Sequence, residues 1–194
     1  MKTALLIASM AMLAIAGATQ AAGNAEAGKT KSAVCAACHG ADGNSGANPV
    51  WPKLAGQHPR YIIQQLQDFK AGKRAETMMS PMAAPLSEED MADLAAYFSS
   101  QKRTIGEADA TLVKKGEKLY RAGNAASGVS ACSACHGPTG SGNPLSNFPS
   151  LSGQGAAYVV KALKDFRSGT RSNDTGGMMQ DVASRLTDAE IDAV

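Results

Sequence analysis

The chain has 194 residues, a formal net charge of +2 and only four cysteines. It has no basic stripe interleaved with aromatic side chains, which argues against nucleic acid as a partner. The first residues combine Lys2, an apolar run from Ala4 to Ala16 and small residues up to position 21. This pattern is typical of a secretory signal peptide, and the run is shorter than the ~20 residues of a membrane-spanning helix. We therefore predict a signal peptide over residues 1–21, cleavage before Ala22 and export.

The cysteines occur as two C-x-x-C-H motifs, CAACHG and CSACHG. Two disulfides are the simple alternative in an exported protein, but a disulfide has no use for the histidine that follows each pair. Zinc is a second alternative, disfavoured by the long separation of the motifs. Attachment of haem c uses every residue, because the thiols add to the haem vinyl groups and the histidine reaches the iron. We predict two covalently bound haems c, attached through Cys35, Cys38, Cys132 and Cys135, with His39 and His136 as iron ligands.

An internal duplication organises the chain. In the register of the cysteine motifs, WPKLAGQ matches FPSLSGQ and DFKAGKR matches DFRSGTR. After a three-residue insertion, LSEED matches LTDAE. We predict two tandem copies of one small haem domain, over residues 22–103 and 104–194, with residues 100–110 as the linker.

The local sequence signals are helical in both copies. Asn24 is suited to cap a helix leading into the first motif, and Pro59 is a favourable first residue of the next helix. Ser87 begins a capping-box pattern, which Thr187 repeats in the second copy. A further helix is predicted around residues 111–121. Because no alternating strand pattern appears, the sequence predicts an all-α fold.

Each iron needs a second axial ligand or an open position. Of the three histidines, His39 and His136 are already assigned, so only His58 remains. Its counterpart in the second copy is Gly155, and we therefore expect His58 to be a surface residue of a loop. Cysteine is used up by attachment, which leaves methionine as the leading candidate. Ligation by histidine and methionine raises the reduction potential of a haem.

The candidate methionines lie in ETMMSPMAAPLSEED, which we predict to be a loop before a helix, and in the matching segment of the second copy. The doublet at 78–79 recurs at 178–179, whereas Met82 is replaced by a valine. We therefore expect Met82 to serve packing. The duplication does not separate the two methionines within each doublet, so both remain candidates.

The signal peptide, the two C-x-x-C-H motifs, the paired WPKLAGQ and FPSLSGQ segments and the helix LSEEDMADLAAYFSSQ closely resemble the dihaem cytochrome c4 family. The resemblance covers essentially the whole mature chain. It implies two tandem class I cytochrome c domains with all-α folds. It also implies Met79 and Met179 as the axial ligands, and Pro52 and Pro149 as acceptors of the proximal imidazole N–H.

The same resemblance implies a periplasmic electron carrier, at most loosely membrane-associated, between a quinol-oxidising complex and a terminal oxidase. No small-molecule substrate is expected. The alternatives are a dihaem peroxidase, which needs an open iron position beneath acid–base residues, or a haem subunit of a dehydrogenase or oxidase complex. The two methionine doublets favour the carrier. The second copy stops at Val194, short of the residues that end the first copy's last helix, and we expect the natural protein to continue.

Overall fold

The computed structural model describes residues 23–44 and 48–194. Within these ranges the chain forms ten α-helices and two short 3₁₀ turns, and no β-strand. The predicted signal peptide lies outside the described residues. In the described ranges, none of the helices combines the length and the apolar character needed to span a bilayer.

The first repeat contains five helices, α1 (Ala25–Lys31), α2 (Ala36–His39), α3 (Pro59–Lys70), α4 (Met79–Ala83) and α5 (Glu88–Ser100). Helices α1 and α5 cross at Gly28, where a Cβ atom would lie 2.0 Å from the carbonyl oxygen of Asp93. The close approach therefore depends on the missing side chain. The buried core of this repeat comprises Ile62, Leu94, Ala95, Tyr97 and Phe98.

The second repeat has the same order of helices, α6 (Val113–Ala122), α7 (Ser133–His136), α8 (Ala156–Ser168), α9 (Met178–Ser184) and α10 (Asp188–Ala193). Helix α6 meets α10 at Gly116, where a Cβ atom would lie 2.0 Å from the carbonyl oxygen of Ala193. The second repeat has a separate buried core, formed by Leu119, Val129, Leu186 and Ile191. Each repeat thus buries its own apolar side chains, as expected of two tandem domains.

The predicted helix starts are confirmed by side-chain caps. The Asn24 side chain accepts from backbone N–H groups at the start of α1. Ser87 and Asp90 form a reciprocal capping box at α5, and Thr187 and Glu190 form the same arrangement at α10. These caps satisfy N–H groups that a helix leaves without an internal partner.

The prediction of a loop around the first methionine doublet is wrong, because residues 79–83 form α4. The Glu76 carboxylate accepts the backbone N–H groups of Met78 and Met79, at 2.8 and 3.2 Å. Pro81 lies in the first turn, where its missing N–H removes no intrahelical hydrogen bond. Proline therefore does not prevent this short helix.

The segment predicted to be the linker makes contacts with both domains. Ser100 is still the last residue of α5. The Arg103 guanidinium donates to the carbonyl oxygen of Ala55 at 2.6 Å and to that of Ser152 at 2.8 Å. Arg103 therefore joins the two repeats, while the domain border after residue 103 stays a prediction.

His58 lies in a loop near the surface, as expected from the sequence, but it also makes a contact that the sequence did not predict. His58 is half-buried and precedes α3. Its Nε2 atom lies 2.9 Å from the carbonyl oxygen of Ser141 in the other repeat. Because a carbonyl oxygen can only accept, Nε2 is the protonated ring nitrogen in this contact. His58 thus contributes to the contact between the domains.

Candidate haem sites

The two attachment motifs have the same local structure in both repeats. Helix α2 ends at His39 and α7 ends at His136, and the next residues, Gly40 and Gly137, have φ values of 78° and 77°. Glycine adopts this backbone conformation without strain, so the chain can leave each motif immediately after the histidine. The structure contains no disulfide between the four cysteines, which are Cys35, Cys38, Cys132 and Cys135.

The motif histidines are buried and held by a carbonyl group. The Nδ1 atom of His39 lies 2.8 Å from the oxygen of Pro52, and that of His136 lies 3.0 Å from the oxygen of Pro149. Since the carbonyl can only accept, Nδ1 carries the proton and Nε2 keeps its lone pair. Burial lowers the pKa of both imidazoles, and the hydrogen bond to the proline carbonyl opposes this only in part. Each ring is therefore neutral, with an unprotonated Nε2 atom that could bind a metal.

Burial distinguishes the two methionines of each doublet. Met79 and Met179 are half-buried. Met78 is 55% exposed and Met178 is 43% exposed. The same measure contradicts the packing role expected of Met82, which is 44% exposed.

An acidic residue fixes the start of each methionine helix. Asp174 accepts the N–H groups of Met179 and Gln180, at 2.7 and 3.1 Å, whereas Glu76 accepts those of Met78 and Met79 in the first repeat. These two acidic residues are not among those predicted from the sequence. The sequence does contain a matching pair, Glu76-Thr77 and Asp174-Thr175, before the two doublets. The three extra residues of the second copy are divided between the two sides of this pair, so the match is not in register with either flanking segment.

The groups in each repeat suit a covalently attached haem. Two thiols, a neutral imidazole with an available Nε2 and a half-buried thioether are the donor set of a haem c with histidine and methionine ligation. Arg103 Nη2, at the contact between the repeats, is buried without a hydrogen-bond partner in the described part of the chain. A buried guanidinium N–H of this kind suits an anionic group such as a haem propionate.

Fold and donor set together define a two-domain c-type cytochrome. The cytochrome c family model matches residues 25–102 and 113–194. The chain is 51% identical to cytochrome c4 of Stutzerimonas stutzeri, over 97% of this chain and 94% of that protein. It matches the crystal structure of reduced recombinant cytochrome c4 from Pseudomonas stutzeri with a TM-score of 0.85 and 52% identity, over 89% of this chain and 95% of that one. The chain belongs to the cytochrome c4 family.

Membership of this family confirms three of the predictions. The fold is all-α with two tandem cytochrome c domains. The cofactors are two covalently bound haems c. The protein is an electron carrier and not an enzyme, which removes the dihaem peroxidase alternative.

Proposed function

We propose that His39 and Met79 are the axial iron ligands in the first domain, and His136 and Met179 in the second. The thioether bonds are formed by the four motif cysteines. The observation that carries the assignment is the Nδ1 contact to a proline carbonyl in both repeats. Because Nδ1 holds the proton in this contact, the lone pair of Nε2 is free to bind the iron. The half-buried position of Met79 and Met179, beside two exposed neighbours, supports the choice within each doublet.

The surrounding residues keep this ligand set in place. Pro52 and Pro149 fix the orientation of the imidazole rings, and a hydrogen bond of this kind raises the basicity of the ligating nitrogen. Glu76 and Asp174 hold the backbone on which the methionines sit. When bound, each haem supplies an iron that can take up and release one electron. An iron with two protein ligands has no open position for a substrate, which suits electron transfer through the haem edge.

The proposal extends to compartment and partners. The signal peptide predicted for residues 1–21 supports export to the periplasm with cleavage before Ala22, at most loosely associated with the membrane. The electron donor is a membrane quinol-oxidising complex and the acceptor a terminal oxidase. Both contacts are transient, and transient redox complexes use small interfaces.

Membranes of the native organism test the partners. The purified holoprotein is added to membrane vesicles with a reduced quinol, and its haem absorbance is followed before and after oxygen is admitted. We expect reduction that depends on the quinol-oxidising complex, followed by rapid reoxidation. Reduction only in the presence of a soluble dehydrogenase would contradict the proposed donor.

A further inference from the structure

Two glutamine side chains cross the boundary between the domains in a reciprocal way. Gln57 donates from Nε2 to the carbonyl oxygen of Ser150 at 3.0 Å, and its Oε1 accepts the Ser150 N–H at 2.9 Å. Gln154 makes the same two contacts with Lys53, at 3.0 and 2.8 Å. In the repeat register Gln57 matches Gln154 and Lys53 matches Ser150. A glutamine of each domain therefore forms hydrogen bonds with the equivalent backbone position of the other domain.

The backbone groups that receive these glutamines also hold the proximal histidines. The peptide group between Pro52 and Lys53 presents its oxygen to His39 and its N–H to Gln154. The peptide group between residues 149 and 150 presents its oxygen to His136 and its N–H to Gln57 in the same way. A single peptide plane thus lies between each histidine and a glutamine of the opposite domain.

Hydrogen bonds at the two ends of one peptide group strengthen each other. When the N–H donates, electron density shifts toward the carbonyl oxygen, which then becomes a better acceptor. A better acceptor for the Nδ1 proton makes the imidazole more electron-rich and a stronger ligand. Such a ligand stabilises the ferric more than the ferrous iron and so lowers the reduction potential.

We propose that Gln57 and Gln154 are positioning residues that act across the domain boundary. Gln154 holds and polarises the peptide that supports His39, and Gln57 does the same for His136. Each domain thereby sets part of the reduction potential of the haem in the other. This inference rests on the proposed assignment of His39 and His136 as iron ligands.

Burial predicts that the two contacts differ in strength. Gln57 and Ser150 are 6% and 8% exposed, whereas Gln154 and Lys53 are half-buried. Water can replace a lost partner more readily at the half-buried peptide. Removal of the Gln57 amide is therefore expected to have the larger effect, and that effect falls on the haem of the second domain.

The test measures the potential of each haem separately in the full-length holoprotein. Redox titrations are followed by NMR through the haem methyl signals, and the ring N–H signals of His39 and His136 are recorded in the reduced state. In Gln154→Ala we expect the first-domain potential to rise and only the His39 signal to move. In Gln57→Ala we expect the second-domain potential to rise, by more, with only the His136 signal moving.

Two further variants separate polarisation from loosened domain contact. Gln154→Glu keeps an oxygen that accepts the Lys53 N–H, so the first-domain potential should not rise. Tyr158→Phe removes a different interdomain hydrogen bond, the one from Arg74, without touching either peptide. It should leave both ring N–H signals in place.

The outcomes that overturn the inference are specific. They are a change in the reduction potential of the haem in the substituted domain itself, equal changes for both haems, or no change. An equally large change caused by Tyr158→Phe would also overturn it. A ferric spectrum that keeps the methionine-to-iron band in every variant shows that ligation is intact, so that a missing shift counts against the inference alone. Absence of that band from the wild-type protein would instead overturn the proposed ligands.

Discussion

Arg171 in the second domain donates from Nη2 to the hydroxyl of Tyr61 in the first domain at 2.8 Å. The equivalent pair in the other direction is Arg74 and Tyr158, at 3.3 Å. Each guanidinium also lies over a phenylalanine ring of its own domain, 4.4 Å from the centroid for Arg171 and 4.6 Å for Arg74. The duplicated DFKAGKR and DFRSGTR segments therefore build a reciprocal contact that holds the two domains together.

The charge around Tyr158 predicts a dependence of stability on alkaline pH. Burial raises the pKa of Tyr158, but the nearby Arg74 and Arg171 outweigh it and lower the pKa from 10.0 to about 8. A lowered folded-state pKa gives stability that is complete above the unfolded value and is lost as pH falls through the folded one. The melting temperature of the wild type, relative to Tyr158→Phe, should thus increase from about pH 7 to about pH 10. A difference that shrinks over this range would contradict the assignment.

The ligand choice within the first doublet is open to a direct substitution. In Met79→Ala the first haem should become high-spin and its potential should fall, because the thioether that favours the ferrous state is removed. The second haem should be unchanged. Met78→Ala is the matched control and should keep both haems low-spin. Ferric absorption spectra read out all of these results, and a high-spin first haem in Met78→Ala would reverse the assignment.

The helix crossing at Gly28 predicts a large effect of a single methyl group. The added Cβ of Gly28→Ala would lie 2.0 Å from a backbone oxygen, so α1 or α5 must move. Overpacking of this kind costs about 1–3 kcal/mol. Gly106→Ala is the control, since nothing lies within 4 Å of its added Cβ. The free energies of unfolding of the two variants, measured with denaturant, should differ by that amount. Equal free energies would show that the helix crossing accommodates the added methyl group.

An ion pair at the same crossing predicts a dependence of stability on acidic pH. Lys31 Nζ lies 2.7 Å from carboxylate oxygens of both Asp90 and Asp93. This contact with Lys31, together with the Asn24 N–H, lowers the pKa of Asp93 below its usual value of 3.8. The stabilisation is therefore present above pH 3.8 and is lost as pH falls through the lowered folded-state pKa.

Substitution of the lysine tests this ion pair. Lys31→Met should lower the melting temperature at neutral pH, and the difference from the wild type should disappear in acid. Lys29→Met removes an exposed lysine of the same helix and should have little effect at either pH. A loss from Lys31→Met that persists unchanged in acid would point to packing instead of charge.

Much of the fold could be predicted because its signals are local in sequence. The attachment motif, the Asn24 cap and the capping boxes at Ser87 and Thr187 each use a few neighbouring residues. Helix α4 was not predicted, because two features that allow it are not part of a helical pattern. The Glu76 carboxylate, outside the helix, accepts N–H groups at its start, and Pro81 lies in the first turn, where no intrahelical hydrogen bond is lost. The length and the hydrophobic pattern of the segment reveal neither of these two features.

The contacts between the domains could not be predicted from local sequence. The backbone partners of Gln57 and Gln154 lie in the other repeat, and Arg103 bonds to a carbonyl group in each repeat. Nothing near these residues in the chain specifies the pairing. A weaker signal did exist in the duplication itself, since polar residues such as Gln57 and Arg74 recur in both copies. The duplication revealed which residues are shared, and the structure shows that several of them meet across the boundary.

We propose that both domains carry a low-spin haem c held by histidine and methionine. A potentiometric titration of the holoprotein, with absorption spectra recorded at each potential, tests it most directly. We expect two one-electron steps, ferrous spectra of two low-spin haems, and a methionine-to-iron band that is lost from both domains on reduction. A high-spin component in the oxidised wild-type protein, or a haem that binds added peroxide, would contradict it.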